Sequence, residues 1–256
     1  NPSQEIRGFS YDYAYDPIGN RISSTEYDPE NNALISSYTA NALNQYQQRT
    51  IPGYAAVRGT ATNTAVVTVN GNSVWRLDDY FYGGDEADNS TAATMKELEI
   101  IAAQSNLYST VTGSLFVAQT PEQYQYDDDG NLTQDGRWQY TWNGENRLIK
   151  AVELFVPTNR QPYEVNYAYD HQGRMVWKQI TTAGAPPKTI TYAWDDYNII
   201  AEHTTEASTT KTTYNTWGLD LSVTLQGAGG VGGLLAVFSP LPLGEGQGEG
   251  GIALPC

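Results

Sequence analysis

The chain has 256 residues with 29 acidic against 14 basic side chains, a net charge of −15, and one cysteine, Cys256, at its last position. That balance argues against a nucleic-acid partner, because phosphate binding relies on clustered lysine and arginine. A lone cysteine permits neither an intrachain disulfide nor a structural cysteine-based zinc site, and no apolar run reaches the about 18 residues of a spanning helix.

Along the chain, the first signal is YAYDPIGNRI, residues 13–22. Tyr13 and Tyr15 stand two apart and so project from one face of a strand. Asp16 and Gly19 occupy the first and fourth places of a type I turn. There the carboxylate bonds nearby backbone N–H groups and Pro17 presets φ. Arg21-Ile22 carries the chain back, so the unit reads as a β-hairpin. Residues 1–50 hold two hairpin-like units, the second ending near Tyr46.

Residues 51–120 break that rhythm. The alternating run TAVVTVNGNSVWRL, 64–77, contains Asn70-Gly71, a two-residue hairpin signal. GGDEADNST, 83–91, reads as a polar loop. Thr94 to Ala103 carries two patterns. Thr94 with Glu97 makes a capping box for a helix, whereas Leu98, Ile100 and Ala102 alternate as in a strand. The strand is preferred, because the segment is short and its neighbours are strands. A compact inserted β module is the simplest account of 51–120.

From 121 to 237 the hairpin returns. YQYDDDGNLT supplies Tyr124, Tyr126, Asp127 and Gly130; YTWNGENRLI supplies Tyr140, Trp142, Asn143 and Asn146. YAYDHQGRMV supplies Tyr167, Tyr169, Asp170 and Gly173. A degenerate copy, YAWDDYNIIA, has Tyr192 and Trp194, with Asp195 and Asn198 in the two turn places. The turn-opening residues at 127, 143, 170 and 195 are separated by steps of 16, 27 and 25, one hairpin per step, as a wound sheet requires. Sandwich strands would alternate too, but a turn at constant offset favours a repeat. The tail 238–256 is dominated by glycine and proline without periodicity. It is expected to be disordered and foreign to the repeat.

These segments resemble the YD repeat of the RHS family, bacterial wound-sheet proteins related to the C components of insecticidal toxin complexes and to teneurins. The likeness extends to ALNQY (42–46), to the long run from Pro121 to Leu148, and to YNTWGLDLSVTLQGAGGVGGLLAV (214–237). It covers 1–50 and 121–237 well and 51–120 more loosely. It implies an all-β fold of tandem hairpins forming a wound, open β-sheet strip, a partial shell, with the small β module inserted. It further implies a secreted or cell-surface bacterial protein whose shell encloses a C-terminal effector, often a toxin, and whose core end cuts itself with acidic residues. After Val237 there is no further hairpin of this kind, no Asp-Pro-x-Gly terminus and no effector. The expectation is therefore a truncated shell piece from a longer precursor, with no residues to carry self-cleavage.

Other constellations are weaker. Gly227, Gly229 and Gly232 spell G-x-G-x-x-G, but a dinucleotide fold needs a helix and a second strand after them, and Pro240 with the tail leaves no room. Asp127, Asp128 and Asp129 suggest calcium, yet the glycine comes fourth rather than sixth. His171 and His203 lack metal-ligand neighbours. The 19 tyrosines could stack on sugars, but cross-strand packing is the commoner use of such rows. The reading is a non-enzymatic structural fragment with no cofactor and no metal. Its partners are neighbouring repeats and an enclosed effector; the alternative is a surface carbohydrate-binding or adhesion module.

Overall fold

A computed structural model of the chain describes residues 6–155 and 161–239, with the backbone of Ile252–Ala253. Most of the tail expected to lack structure lies outside the described residues. The chain is all-β: among the described residues every regular element is a strand, and the strands whose register is defined pair antiparallel. It divides into two compact units, Asn1–Trp138 and Gln139–Cys256.

The first unit begins as a meander of β1 (Asp12–Tyr15), β2 (Arg21–Tyr27), β3 (Ala33–Ala40) and β4 (Tyr46–Arg49). The chain then leaves this sheet. It builds β5 (Tyr54–Thr60), β6 (Val66–Val69), β7 (Asn72–Ser73), β8 (Trp75–Leu77), β9 (Tyr80–Glu86), β10 (Thr94–Gln104) and β11 (Leu107–Val117). These form two sheets, ordered β5-β9-β8 and β11-β10-β6-β7. The chain then returns as β12 (Glu122–Gln123), which pairs with β4 through Glu122↔Arg49 and Gln123↔Gln48. Residues 50–121 are thus spliced between two neighbouring strands of one sheet. The hairpin of β13 (Gln125–Tyr126) and β14 (Leu132–Gln134) follows.

The spliced segment holds the principal core. Ala55, Val69, Ala87, Leu98 and Val117 are buried together, with Ile51, Val57, Val74 and Ile100 packed around them. Each fully buried valine or leucine contributes about 1.5–3 kcal/mol, which explains why this segment alternates so regularly. Thr94 to Gln104 is a strand, paired residue for residue with β11. Leu98 enters the core while Glu97 and Glu99 face outward. A helix would have scattered these residues around its axis. Asn70 and Gly71 have φ of 49° and 79°, the left-handed values that a two-residue hairpin requires.

The second unit continues with β15 (Trp138–Trp142), whose first residue closes the first unit. It then adds β16 (Leu148–Glu153), β17 (Tyr163–Tyr169), β18 (Met175–Thr182), β19 (Lys188–Asp195), β20 (Asn198–Glu206), β21 (Thr209–Trp217), β22 (Leu234–Phe238) and β23 (Ile252–Ala253). Their order in the sheet is their order in the chain. Among the described residues of this unit, the buried apolar side chains are the small Ala151 and Ala201. The unit is one layer of sheet, held mainly by its hydrogen bonds and half-buried aromatic faces.

Candidate functional site

Six hairpin turns share one construction, which recurs at Asp220, Val223 and Thr224 inside the loop between β21 and β22. In each of the six, the first residue's N–H donates to the fifth residue's carbonyl, and the fourth residue's N–H donates back to the first residue's carbonyl, all at 2.8–3.1 Å. The first residues are Asp16, Asp28, Asn41, Asp127, Asn143 and Asp170. The fourth residues are Gly19, Asn31, Asn44, Gly130, Asn146 and Gly173, with φ between 57° and 94°. This is the left-handed region that glycine enters freely and asparagine tolerates.

The opening side chain braces the turn from within. Asp170 Oδ1 accepts the N–H of Gln172 at 2.9 Å and of Arg174 at 3.0 Å. Asp16 does the same for Ile18 and Asn20, Asp127 for Asp129 and Asn131, and Asn143 for Glu145 and Arg147. The side-chain amides of Asn20 and Asn131 hold the carboxyls of Asp16 and Asp127 below the usual carboxylate range. At Asp170 desolvation pushes upward, but the Arg174 guanidinium and the backbone donors outweigh it.

Two of these turns are not announced by the sequence pattern. Asp28–Asn32 and Asn41–Gln45 carry asparagine in the fourth place, as the Asn143 turn does, rather than glycine. The available signals were the Tyr27-Asp28-Pro29 run and the short spacing of Asn41 from Asn44. The fifth copy read from the sequence is corrected. Asp195 and Asn198 pair with each other as strand ends, and the positive φ of 45° belongs to Asp196. The turn is two residues long, so Asp195 and Asn198 do not occupy the first and fourth places of the larger turn. Asn198 is buried against the glycine-rich loop.

The turns are laced to one another. The fifth residue of one turn reaches the next along the same edge. Asn20 Nδ2 donates to Asn44 Oδ1 at 3.0 Å and Gln45 Nε2 to the Gly130 carbonyl at 3.5 Å. In the second unit Arg147 Nη1 reaches the Asp170 carbonyl at 3.1 Å, and Arg174 Nη1 the Asp196 carbonyl at 2.7 Å. Gln226 Nε2 then donates to the Asp195 carbonyl at 2.9 Å.

An aromatic residue near the end of β13, β17, β19 and β21 makes a second stitch. The pairing slips at Tyr15, Tyr126, Tyr169, Trp194 and Trp217. Such a bulge leaves backbone groups out of the ladder, and a ring donor takes one of them up. Tyr126 Oη donates to the Tyr46 carbonyl at 2.9 Å and Tyr169 Oη to the Leu148 carbonyl at 2.8 Å. Trp194 Nε1 donates to the Met175 carbonyl at 2.9 Å and Trp217 Nε1 to the Ile199 carbonyl at 2.8 Å. Each acceptor directly follows the preceding turn. Arg147 also lies over the Tyr169 ring and Arg174 over the Trp194 ring, 5.4 and 5.9 Å from the centroids.

The other aromatic residues have structural roles or lie on the surface. Tyr124 Oη donates to Glu122 at 2.7 Å. Tyr140, Trp142, Tyr167 and Tyr192 are half-buried. Tyr11, just before β1, and Tyr13 and Tyr15 on it form an exposed row, with ring centroids 6.3 and 6.5 Å apart.

Two carboxylates outside the turns are fully engaged. Glu122, only 6 % exposed, receives Arg49 Nε at 2.6 Å, Tyr124 Oη at 2.7 Å and the Gly136 N–H at 3.2 Å. It sits where the spliced segment joins the sheet, beside a cleft of about 300 Å³ that Arg49, Tyr54 and Trp138 help to line. Asn89 closes the same neck, with Nδ2 donating to the carbonyls of Ala118 at 2.7 Å and Ile51 at 3.1 Å. Asp220 accepts the Ser222 hydroxyl and the N–H groups of Ser222, Ala228 and Gly230. Led by the Ser222 hydroxyl, these bonds bring its pKa down to about 2. The glycines of the dinucleotide-like motif therefore sit in a loop wound around Asp220, between β21 and β22. His203 Nδ1 lies 2.9 Å from Thr212 Oγ1, and His171 is exposed in its turn. Among the described residues no group of three His, Cys, Asp or Glu is placed to hold a metal. No helix there is long and apolar enough to cross a membrane, which says nothing about spanning strands.

The Teneurin YD-shell family matches residues 65–185. The tRNA3(Ser)-specific nuclease WapA of Bacillus spizizenii is 28 % identical over 152 residues, which is 58 % of this chain and 6 % of that protein. The crystal structure of TcdB2-TccC3 without its hypervariable C-terminal region aligns over 95 % of this chain and 13 % of that one, at 12 % identity and a TM-score of 0.32. This chain thus spans a small fraction of the length of either protein. The laced turns build a sheet of repeated hairpins, and residues 65–185 are similar to the Teneurin YD-shell family.

Proposed function

We propose that the chain is a non-enzymatic wall segment of a bacterial RHS-type shell, carried in a longer secreted or surface protein whose shell encloses an effector. The supporting observation is the double stitch between successive turns. It uses the aspartates and aromatics at the repeat positions for backbone bonding. A single-layer sheet in strict chain order suits a wall better than a globular enzyme. Within this reading 1–50 and 121–237 are the strip, and 51–120 is a β module inserted between paired strands. The partners are flanking repeats and the enclosed effector.

The test uses the full-length product of the parent gene. Limited proteolysis should leave a downstream effector uncut while the strip is intact. Tyr169→Phe combined with Trp194→Phe, which removes two stitches, should open it to cleavage. An effector cut equally fast in both proteins would overturn the enclosure. A carbohydrate-binding role would rest on the exposed Tyr11–Tyr13–Tyr15 row, and glycan binding lost in Tyr13→Ala would favour it.

A further inference from the structure

We propose that the outer edge of β11 is a self-association surface whose occupant is β11 of a second copy of this chain, paired antiparallel about a twofold axis at Thr112. β11 ends its sheet, which runs β11-β10-β6-β7. Its residues from Leu107 to Leu115 are all exposed, with Leu107 at 71 %, Tyr108 at 79 % and Val111 at 60 %. Edge strands are ordinarily blunted by shortness, proline, lysine or a bulge. β11 has none of these. It is 11 residues long, its register with β10 is unbroken, and no proline or charged residue lies between Ile100 and Thr120.

The direction of its backbone groups follows from the loop. Gln104 pairs with Leu107 across a two-residue turn, and such a turn closes on a pair that exchanges both backbone bonds. Pairs then alternate along the ladder. Leu107, Ser109, Val111 and Gly113 direct N–H and C=O toward β10, whereas Tyr108, Thr110, Thr112 and Ser114 direct theirs away from the sheet. An incoming strand therefore finds an open set of donors and acceptors centred on Thr112.

The side chains select the occupant. Antiparallel pairing about Thr112 sets Thr110 opposite Ser114, and the exposed Val111 opposite Gly113 of the other copy, where a β-carbon would meet nothing within 4 Å. The first is a hydroxyl cross-strand pair of the kind that stabilises sheets, and the second covers an exposed valine. Each contact occurs twice, as a twofold interface demands. Two chains each of net charge −15 repel. β11 itself adds no charge to the seam, but Glu97 and Glu99 stand directly across from Ser114 and Thr112 on β10, so added salt should strengthen the pairing.

The test combines cross-linking with sedimentation of the 256-residue chain. Thr112→Cys in a Cys256→Ser background places two cysteines in one hydrogen-bonded pair, about 5.5 Å between α-carbons and within disulfide reach. It should give a covalent dimer under mild oxidation, whereas Ser105→Cys, at the far loop, should not. Thr112→Pro removes an N–H that faces away from β10, a place where an edge strand accepts proline. It should weaken the dimer at least about tenfold. A wild-type chain that stays monomeric at every concentration, or Thr112→Cys oxidising no faster than Ser105→Cys, would overturn the proposal. The cysteine comparison decides even if the proline variant fails to fold.

Discussion

The Tyr169 hydroxyl donates to the Leu148 carbonyl at 2.8 Å, joining the strand that enters one turn to the strand that leaves the turn before it. Trp194 repeats this on the Met175 carbonyl with an indole N–H, so a ring of either kind serves when it carries a donor. Tyr169→Phe and Trp194→Phe keep a ring and remove that donor. Each should lower stability by about 1 kcal/mol, read as a drop in the urea midpoint at unchanged slope. Midpoints equal to wild type in both would show that the stitch contributes nothing.

At Asp170 the turn and the charge can be separated. Asn41 and Asn143 open the same turn with an amide, so Asp170→Asn should retain the bonds to the N–H groups of Gln172 and Arg174. It loses the charge facing Arg174 Nε and Nη2, both 2.7 Å away. Asp170→Ala loses both sets. The urea midpoint should fall in the order wild type, Asn, Ala, and added salt should narrow the gap between wild type and Asn. An alanine variant as stable as the asparagine one would remove the turn from the account.

The hairpins were legible because their determinants are local. Asp16, Asp127 and Asp170 announce turns through offsets of a few residues, and the alternation of Leu98, Ile100 and Ala102 settles the helix-or-strand question at β10. The lacing was not legible. Gln45 bonds Gly130 across 85 positions, and nothing near Gln45 distinguishes it from a solvated glutamine. Tyr126 and Tyr169, which read as packing, are backbone donors as well, because the carbonyls they reach belong to the preceding hairpin and no local pattern announces them. The fifth copy misled for a related reason. Asp195 and Asn198 have the right spacing, but Asp196 takes the left-handed conformation, and Gln226 from a distant loop braces the shorter turn through the Tyr197 N–H at 2.8 Å.

Glu122 is the brace of the neck. Glu122→Ala would leave Arg49, the Tyr124 hydroxyl and the Gly136 N–H without their acceptor. The loss should be on the order of 2–3 kcal/mol, below that for a fully enclosed pair because Arg49 is 38 % exposed. Burial and the bond to Glu122 push the Tyr124 phenol well above its ordinary pKa. In the alanine variant its ultraviolet titration should move back down. A phenol that titrates as in wild type would show that Glu122 does not hold it.

Acid should act through the depressed aspartates. Asp16, Asp127 and Asp170 titrate below the ordinary 3.8, and Asp220 near 2. A carboxyl whose folded pKa lies below its unfolded one contributes stability fully above the unfolded value, and loses it as pH falls through the folded one. Urea midpoints should therefore be flat from neutral pH to about 5 and fall between about 4 and 2. Asp220→Asn should lower the plateau and make the fall shallower. A midpoint that rises on acidification would contradict the sign.

Gly229 and Gly230 stand side by side in the Asp220 loop and separate backbone strain from crowding. Both have left-handed φ, 65° and 80°. A methyl group on Gly229 would meet nothing within 4 Å, whereas one on Gly230 would lie 2.1 Å from Asn198 Oδ1. Gly229→Ala should therefore cost only the strain of a left-handed alanine, about 1–2 kcal/mol. Gly230→Ala adds a clash that Asn198, buried beneath the loop, has little room to relieve. The loop must lift, and the Gly230 N–H then leaves Asp220. Faster amide exchange at Ser222, Ala228 and Gly230 in the second variant alone would report that lifting. Equal exchange and equal stability in the two variants would mean that Asn198 moves and the loop is not anchored there.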